Sequence, residues 1–146
     1  MNFFIFLGTG YLTACMARMV GKSGKAYGVE YIRPVYLDSI ENLKKNPYHK
    51  ELLNEKTIEI KCDDGWKGWE DKGPFNAIHV GAAAFKIPQN LIDQLACPGR
   101  LIIPVGPELG NQELLQIDKD EDGNVKKPVS IFGVRYVPLV NPNNIK

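Results

Sequence analysis

Met1-Asn2-Phe3-Phe4-Ile5-Phe6-Leu7-Gly8-Thr9-Gly10 opens the chain, and Tyr11-Leu12-Thr13-Ala14-Cys15-Met16-Ala17-Arg18-Met19-Val20 follows at once. Phe3 to Leu7 is an unbroken apolar run, the pattern of a strand buried on both faces of a parallel sheet. Leu12, Met16, Met19 and Val20 recur at helical spacing. A Gly-x-Gly turn joins the two. Strand, glycine turn and helix start in this order read as the back half of a nucleotide- or cofactor-binding loop. Glycines after a first strand let the backbone turn, and let it approach a ligand closely.

The same rhythm continues outward. Gly21 ends the first helix, and Lys25 to Glu30 is a second strand. Pro34 suits the start of a helix that runs to about Lys45, where Asn46-Pro47 is expected to stop it. Ile58, Ile60 and Cys62 alternate in a third strand over Thr57 to Cys62. Trp66 to Pro74 reads as loop or short helix. Phe75 to Val80 is a fourth strand, closed by Gly81. Pro88 to Leu95 reads as a helix with Leu91, Ile92 and Leu95 inward. After the turn Cys97-Pro98-Gly99, Arg100 to Val105 is a fifth strand.

Then the helices stop. Gln112 to Asp118 is one strand and Val129 to Val137 contains another, the two joined through an acidic turn, so an antiparallel pair is expected at the sheet edge. Strand-helix repeats followed by a hairpin predict a three-layer α/β domain with a mostly parallel sheet. Residues 1–140 are expected to form this one domain, with 141–146 as a tail.

Composition narrows the function class. The 146 residues carry a formal net charge of +1, which argues against nucleic-acid binding. No apolar run reaches the roughly 18 residues of a membrane span, and the start lacks the basic region of a signal peptide. Cys15, Cys62 and Cys97 are too widely spaced for a zinc knuckle or a disulfide framework, which fits a reducing, cytoplasmic setting. Each is read as a buried small hydrophobe. Two histidines, His49 and His79, make a poor metal centre, so none is expected. His79, inside the fourth strand, is read as structural.

In an open α/β sheet, ligands sit outside the carboxyl ends of the strands. Gly8-Thr9-Gly10, Glu30, Asp64-Gly65 and Gly81-Ala82-Ala83-Ala84 all land there. A carboxylate at Glu30 can accept hydrogen bonds from both hydroxyls of a ribose. Asp64 can accept from the exocyclic amine of an adenine. The small residues after Val80 leave room for something to pass over them. Taken singly, each has a plainer reading as turn, surface residue or packing position.

Asn76-Ala77-Ile78-His79-Val80-Gly81-Ala82-Ala83-Ala84 resembles the protein-L-isoaspartate (D-aspartate) O-methyltransferase family. So do Ile87 to Leu95, Pro98 to Pro107 and Gly110-Asn111-Gln112. Gly8 to Ala14 is similar to the end of that family's S-adenosylmethionine loop, and Gly133 to Leu139 to its closing strand. The resemblance implies a Rossmann-like methyltransferase fold, a seven-stranded mostly parallel sheet with a C-terminal antiparallel hairpin, truncated at its N-terminus. It implies methyl transfer from S-adenosylmethionine to the free carboxylate of L-isoaspartyl and D-aspartyl residues in damaged proteins and peptides. The ester then collapses to a succinimide, and part of it reopens to aspartate.

On the same resemblance Gly8, Thr9, Gly10, Glu30, Tyr31, Asp64, Gly65, Val80 and Gly81 hold the cofactor, and Ala82 and Ala83 border the substrate. No catalytic base is assigned, because the attacking carboxylate is already anionic at neutral pH. A cytoplasmic monomer without nucleic-acid or membrane partners is expected. The family's loop reads Asp-x-Gly-x-Gly-x-Gly; here Phe4 stands at the acidic position and Phe6 at the first glycine. A ring at Phe6 is expected to crowd the place where the cofactor passes. The alternative is therefore an inactive, truncated fragment or pseudoenzyme that keeps only the sheet. An NAD-dependent oxidoreductase fits Glu30 equally but not the later strings.

Overall fold

The computed structural model describes residues 1–139; the expected tail, 141–146, and residue 140 lie outside the described residues. Seven strands form one sheet: β1 (Asn2–Phe6), β2 (Lys25–Glu30), β3 (Ile58–Cys62), β4 (Phe75–His79), β5 (Leu95–Val105), β6 (Gln112–Lys119) and β7 (Val129–Val134). Their order is β3-β2-β1-β4-β5-β6-β7. The first five are parallel, and the β5–β6 and β6–β7 pairs are antiparallel. The order reverses beside β1, so β1 and β4 diverge at a switch point.

Helices α1 (Tyr11–Val20), α2 (Arg33–Lys44) and α3 (Pro47–Asn54) cover one face of β1–β3. Ala14, Ala17, Leu43 and Leu52 pack there on Ile5, Ala26 and Ile58. The other face carries a thinner layer: two short 3-10 turns, Gly65–Lys67 and Glu70–Lys72, and the five-residue α4 (Gln89–Asp93). Trp66, Trp69, Leu91 and Ile92 close this side over Phe4, Phe75, Ile78, Leu101 and Ile103. Strand alternation sorts the two cores. Phe4 and Phe6 point to the thin layer, and Ile5 points to the helices.

Several expectations change. Asn46-Pro47 does end α2, but it also begins α3, which the helix-stop reading overlooks. Asn46 Oδ1 accepts from the amides of Tyr48 (2.9 Å) and His49 (3.3 Å), and Pro47 supplies the preset first helical φ. The segment 95–99, read as helix end and turn, belongs to β5, with an irregular register beside Phe75–Ala77. The antiparallel pairing begins one strand earlier than the terminal hairpin, at β5.

The cysteines are not buried hydrophobes. Cys62 and Cys97 are exposed and Cys15 is half-buried, because Cys62 closes β3 and Cys97 lies in the irregular start of β5. His79 lies in register between Ile5 and Ile102, on the face opposite Phe4. Burial pushes its pKa down, and its Nδ1 has no protein partner.

Candidate functional site

At the carboxyl end of β1 the chain turns with the Gly10 amide donating to the Leu7 carbonyl (2.9 Å). Gly10 has φ +88°, a left-handed conformation that a side chain would strain, and it caps α1. Gly8 sits in the same turn. Its amide donates to Glu30 Oε2 (3.1 Å), while Glu30 Oε1 accepts from the Ile32 amide (2.9 Å). One carboxylate therefore ties the β1 turn to the end of β2. Each oxygen keeps a further lone pair for a ligand hydroxyl.

This carboxylate faces a cavity of about 230 Å³. Gly8, Glu30, Tyr31, Gly65, Gly81 and Ala82 line it, so six of the eleven residues expected at the site meet there. The other five do not. Thr9 and Gly10 turn into a separate groove of about 440 Å³ beside Asn42, Lys45 and His49. Val80 and Ala83 are buried in the fold.

Asp64 is also buried, and its Oδ1 accepts from the Trp66 amide (2.9 Å), capping the 3-10 turn. Its neighbour Asp63 bonds Lys61 (3.0 Å). That hydrogen bond, with the Asp64 amide, holds the Asp63 carboxyl below its ordinary range.

Six wall residues escape a sequence reading: Val29, Ile32 and Val35, and, from the far end of the chain, Val137, Pro138 and Leu139. The Ala83 amide donates to the Val137 carbonyl and the Leu139 amide to the Ala83 carbonyl, both at 2.8 Å. The small run Gly81–Ala84 does leave room for a passing segment, and the segment is the chain's own. Gln112 holds this strap. Its Nε2 donates to the carbonyls of Pro107 and Tyr136 (both 3.2 Å), and its Oε1 accepts from the Tyr136 amide (2.7 Å).

Phe6 also lines the cavity. Its ring lies across Gly65, where an added Cβ would overlap Cε1 and stand 2.5 Å from Cζ. Glycine at 65 is thus required by close approach. The ring meets Phe4 edge-on at 5.9 Å, and Phe4 stacks on Phe75 at 5.1 Å. Tyr27 and Trp69 extend the same aromatic row. Each such pair stabilises by about 0.5–1.5 kcal/mol beyond its buried area.

Among the described residues no three His, Cys, Asp or Glu side chains gather as a metal site, and no helix is long and apolar enough to cross a membrane.

Sheet order and glycine turn define a Rossmann-like α/β domain, with a carboxylate-lined cleft at its switch point. The same sheet recurs in a Plasmodium falciparum protein-L-isoaspartate O-methyltransferase solved with S-adenosyl-L-homocysteine, with TM-score 0.80 and 31% identity, over 95% of this chain and 65% of that one. The model of the protein-L-isoaspartate (D-aspartate) O-methyltransferase family matches residues 5–144, and the chain belongs to that family. Two Arabidopsis thaliana relatives, protein-L-isoaspartate O-methyltransferases 1 and 2, are 47% and 46% identical over 92% of the chain. The chain spans 56% and 42% of their respective lengths.

Proposed function

We propose that the cleft is an S-adenosylmethionine site and that the chain acts in methyl transfer to L-isoaspartyl and D-aspartyl carboxylates of damaged proteins. The observation that carries this reading is the Glu30 carboxylate, latched to Gly8 and Ile32 and facing the cavity. The family membership supports it. When bound, the cofactor supplies a methyl group activated on a sulfonium.

The chain's own part is alignment. Glu30 accepts from ribose hydroxyls, Gly8 leaves the turn open to the cofactor's backbone, and Tyr31 flanks the ribose. Gly81 and Ala82 present little bulk where a peptide carboxylate must approach. Thr9, Gly10, Val80 and Ala83 support these positions without lining the cavity, and Asp64 acts by placing Gly65. No base is needed, since a carboxylate is anionic at neutral pH, and positioning alone lowers the barrier.

The fit differs between the two ends of the cleft. The Glu30 end suits a ribose. The Gly65 end does not suit an adenine while the Phe6 ring lies there, and about 230 Å³ is below the 300–1,000 Å³ usual for small-molecule sites. Phe6 therefore favours a second reading, a chain that keeps the sheet but not the catalysis.

Methyl transfer from labelled S-adenosylmethionine to an isoaspartyl peptide tests both. Label in that peptide but not in its aspartyl counterpart supports the enzyme, and no label supports the second reading. The working form proposed is a cytoplasmic monomer; near-neutral charge and three free cysteines support that setting.

A further inference from the structure

Phe6 ends β1, and its side chain leaves the sheet beside Gly81 and finishes over Gly65. A Cβ placed on Gly81 would stand 3.9 Å from Phe6 Cβ, and one placed on Gly65 would run into the ring. The side chain thus spans the cleft floor between the two glycines. Both glycines leave space, and one residue takes it up. The ring is not free to leave without loss, because it is the outer member of the aromatic row through Phe4 and Phe75. The polar end of the cleft is Glu30, whose carboxylate accepts from the Gly8 and Ile32 amides.

We infer that Phe6 is the specificity-determining residue of this cleft: its ring holds the space over Gly65 that a purine requires. The inference rests on reading the cleft as an adenosyl site. A ligand with a ribose diol can reach Glu30, but its base meets the ring. An adenosyl ligand therefore binds only as the ring is displaced, and the wild-type chain binds it at least tenfold more weakly than a chain with a small residue at position 6. Tenfold corresponds to about 1.4 kcal/mol.

Calorimetric titration of the full 146-residue chain with S-adenosylhomocysteine compares wild type with Phe6→Ala. The expected result is a dissociation constant lowered at least tenfold in the variant. A substitution that merely loosened the fold would not tighten binding. Micromolar binding by wild type, unimproved in Phe6→Ala, overturns the inference and leaves the cofactor reading standing. No binding by either overturns the cofactor reading and the inference with it. Should Phe6→Ala fail to fold, Phe6→Leu retains apolar contact with Phe4 while withdrawing the ring, and the same comparison holds.

A ligand-free measurement stands beside these. Gly65→Ala is expected to lower the urea midpoint of the wild-type chain clearly and that of a Phe6→Leu chain much less. Equal losses in both place the ring elsewhere and overturn the inference.

Discussion

Glu30 accepts two backbone amides, from Gly8 and Ile32, and so shapes the cleft as well as facing it. Glu30→Gln retains one acceptor oxygen and loses the charge that strengthens both bonds. Glu30→Ala leaves two amides to water. A loss of about 1–2 kcal/mol in unfolding free energy is expected for Glu30→Ala, and roughly half that for Glu30→Gln, by urea denaturation. Binding of S-adenosylhomocysteine to a Phe6→Ala chain is expected to weaken at least tenfold when Glu30→Ala is added; unchanged affinity would separate Glu30 from the ligand. Phe4, wholly buried against Phe75, gives a second test at this scale. Phe4→Asp puts an unpaired carboxylate among aromatic rings and is expected to unfold the chain at 25 °C, read by far-ultraviolet circular dichroism.

At the scale of elements, α3 depends on its cap. Asn46→Ala removes the acceptor for the Tyr48 and His49 amides, and a loss of about 1 kcal/mol is expected in thermal or urea melts. The β5–β6 pair carries a bidentate bridge, with Arg100 Nε and Nη2 donating to Asp118 at 2.6 and 2.9 Å. The Arg100 hydrogen bond holds the Asp118 carboxyl below its ordinary value. A carboxylate with a lowered folded pKa stabilises the fold above its unfolded value, about 3.9, and that contribution fades as pH falls through the folded value. Wild type should therefore lose more stability than Asp118→Asn between pH 5 and pH 2. Arg100 is half exposed, so the difference is expected to stay within about 1 kcal/mol.

The whole molecule is closed by Gln112, which binds segment 107 and segment 136 together while almost wholly buried. Gln112→Ala strands three backbone groups, and a loss of about 2–3 kcal/mol is expected, together with faster amide exchange at Ala83 and Leu139. Much of this architecture was legible in the chain. The apolar run before Gly8, the glycine turn and the alternating strands depend on local pattern, and each appears where that pattern places it. The α3 helix was hidden because Asn46-Pro47 is both a stop and a start. The strap at Val137–Leu139 was hidden because its partner, Ala83, is more than fifty residues away. Asp64 has the local pattern of a ligand group, but its carboxylate caps a turn that only the folded chain forms.

The sequence alone determined the order of the strands along the chain, the mostly parallel sheet with its antiparallel end, and the carboxylate one strand after a glycine turn. These follow from periodicity, backbone freedom and spacing, which act over a few residues. Only the tertiary structure decided which of the small and charged residues share a cavity, and that Phe6 rests on Gly65. Residues far apart in the chain meet through the register of neighbouring strands, and no local pattern records that meeting.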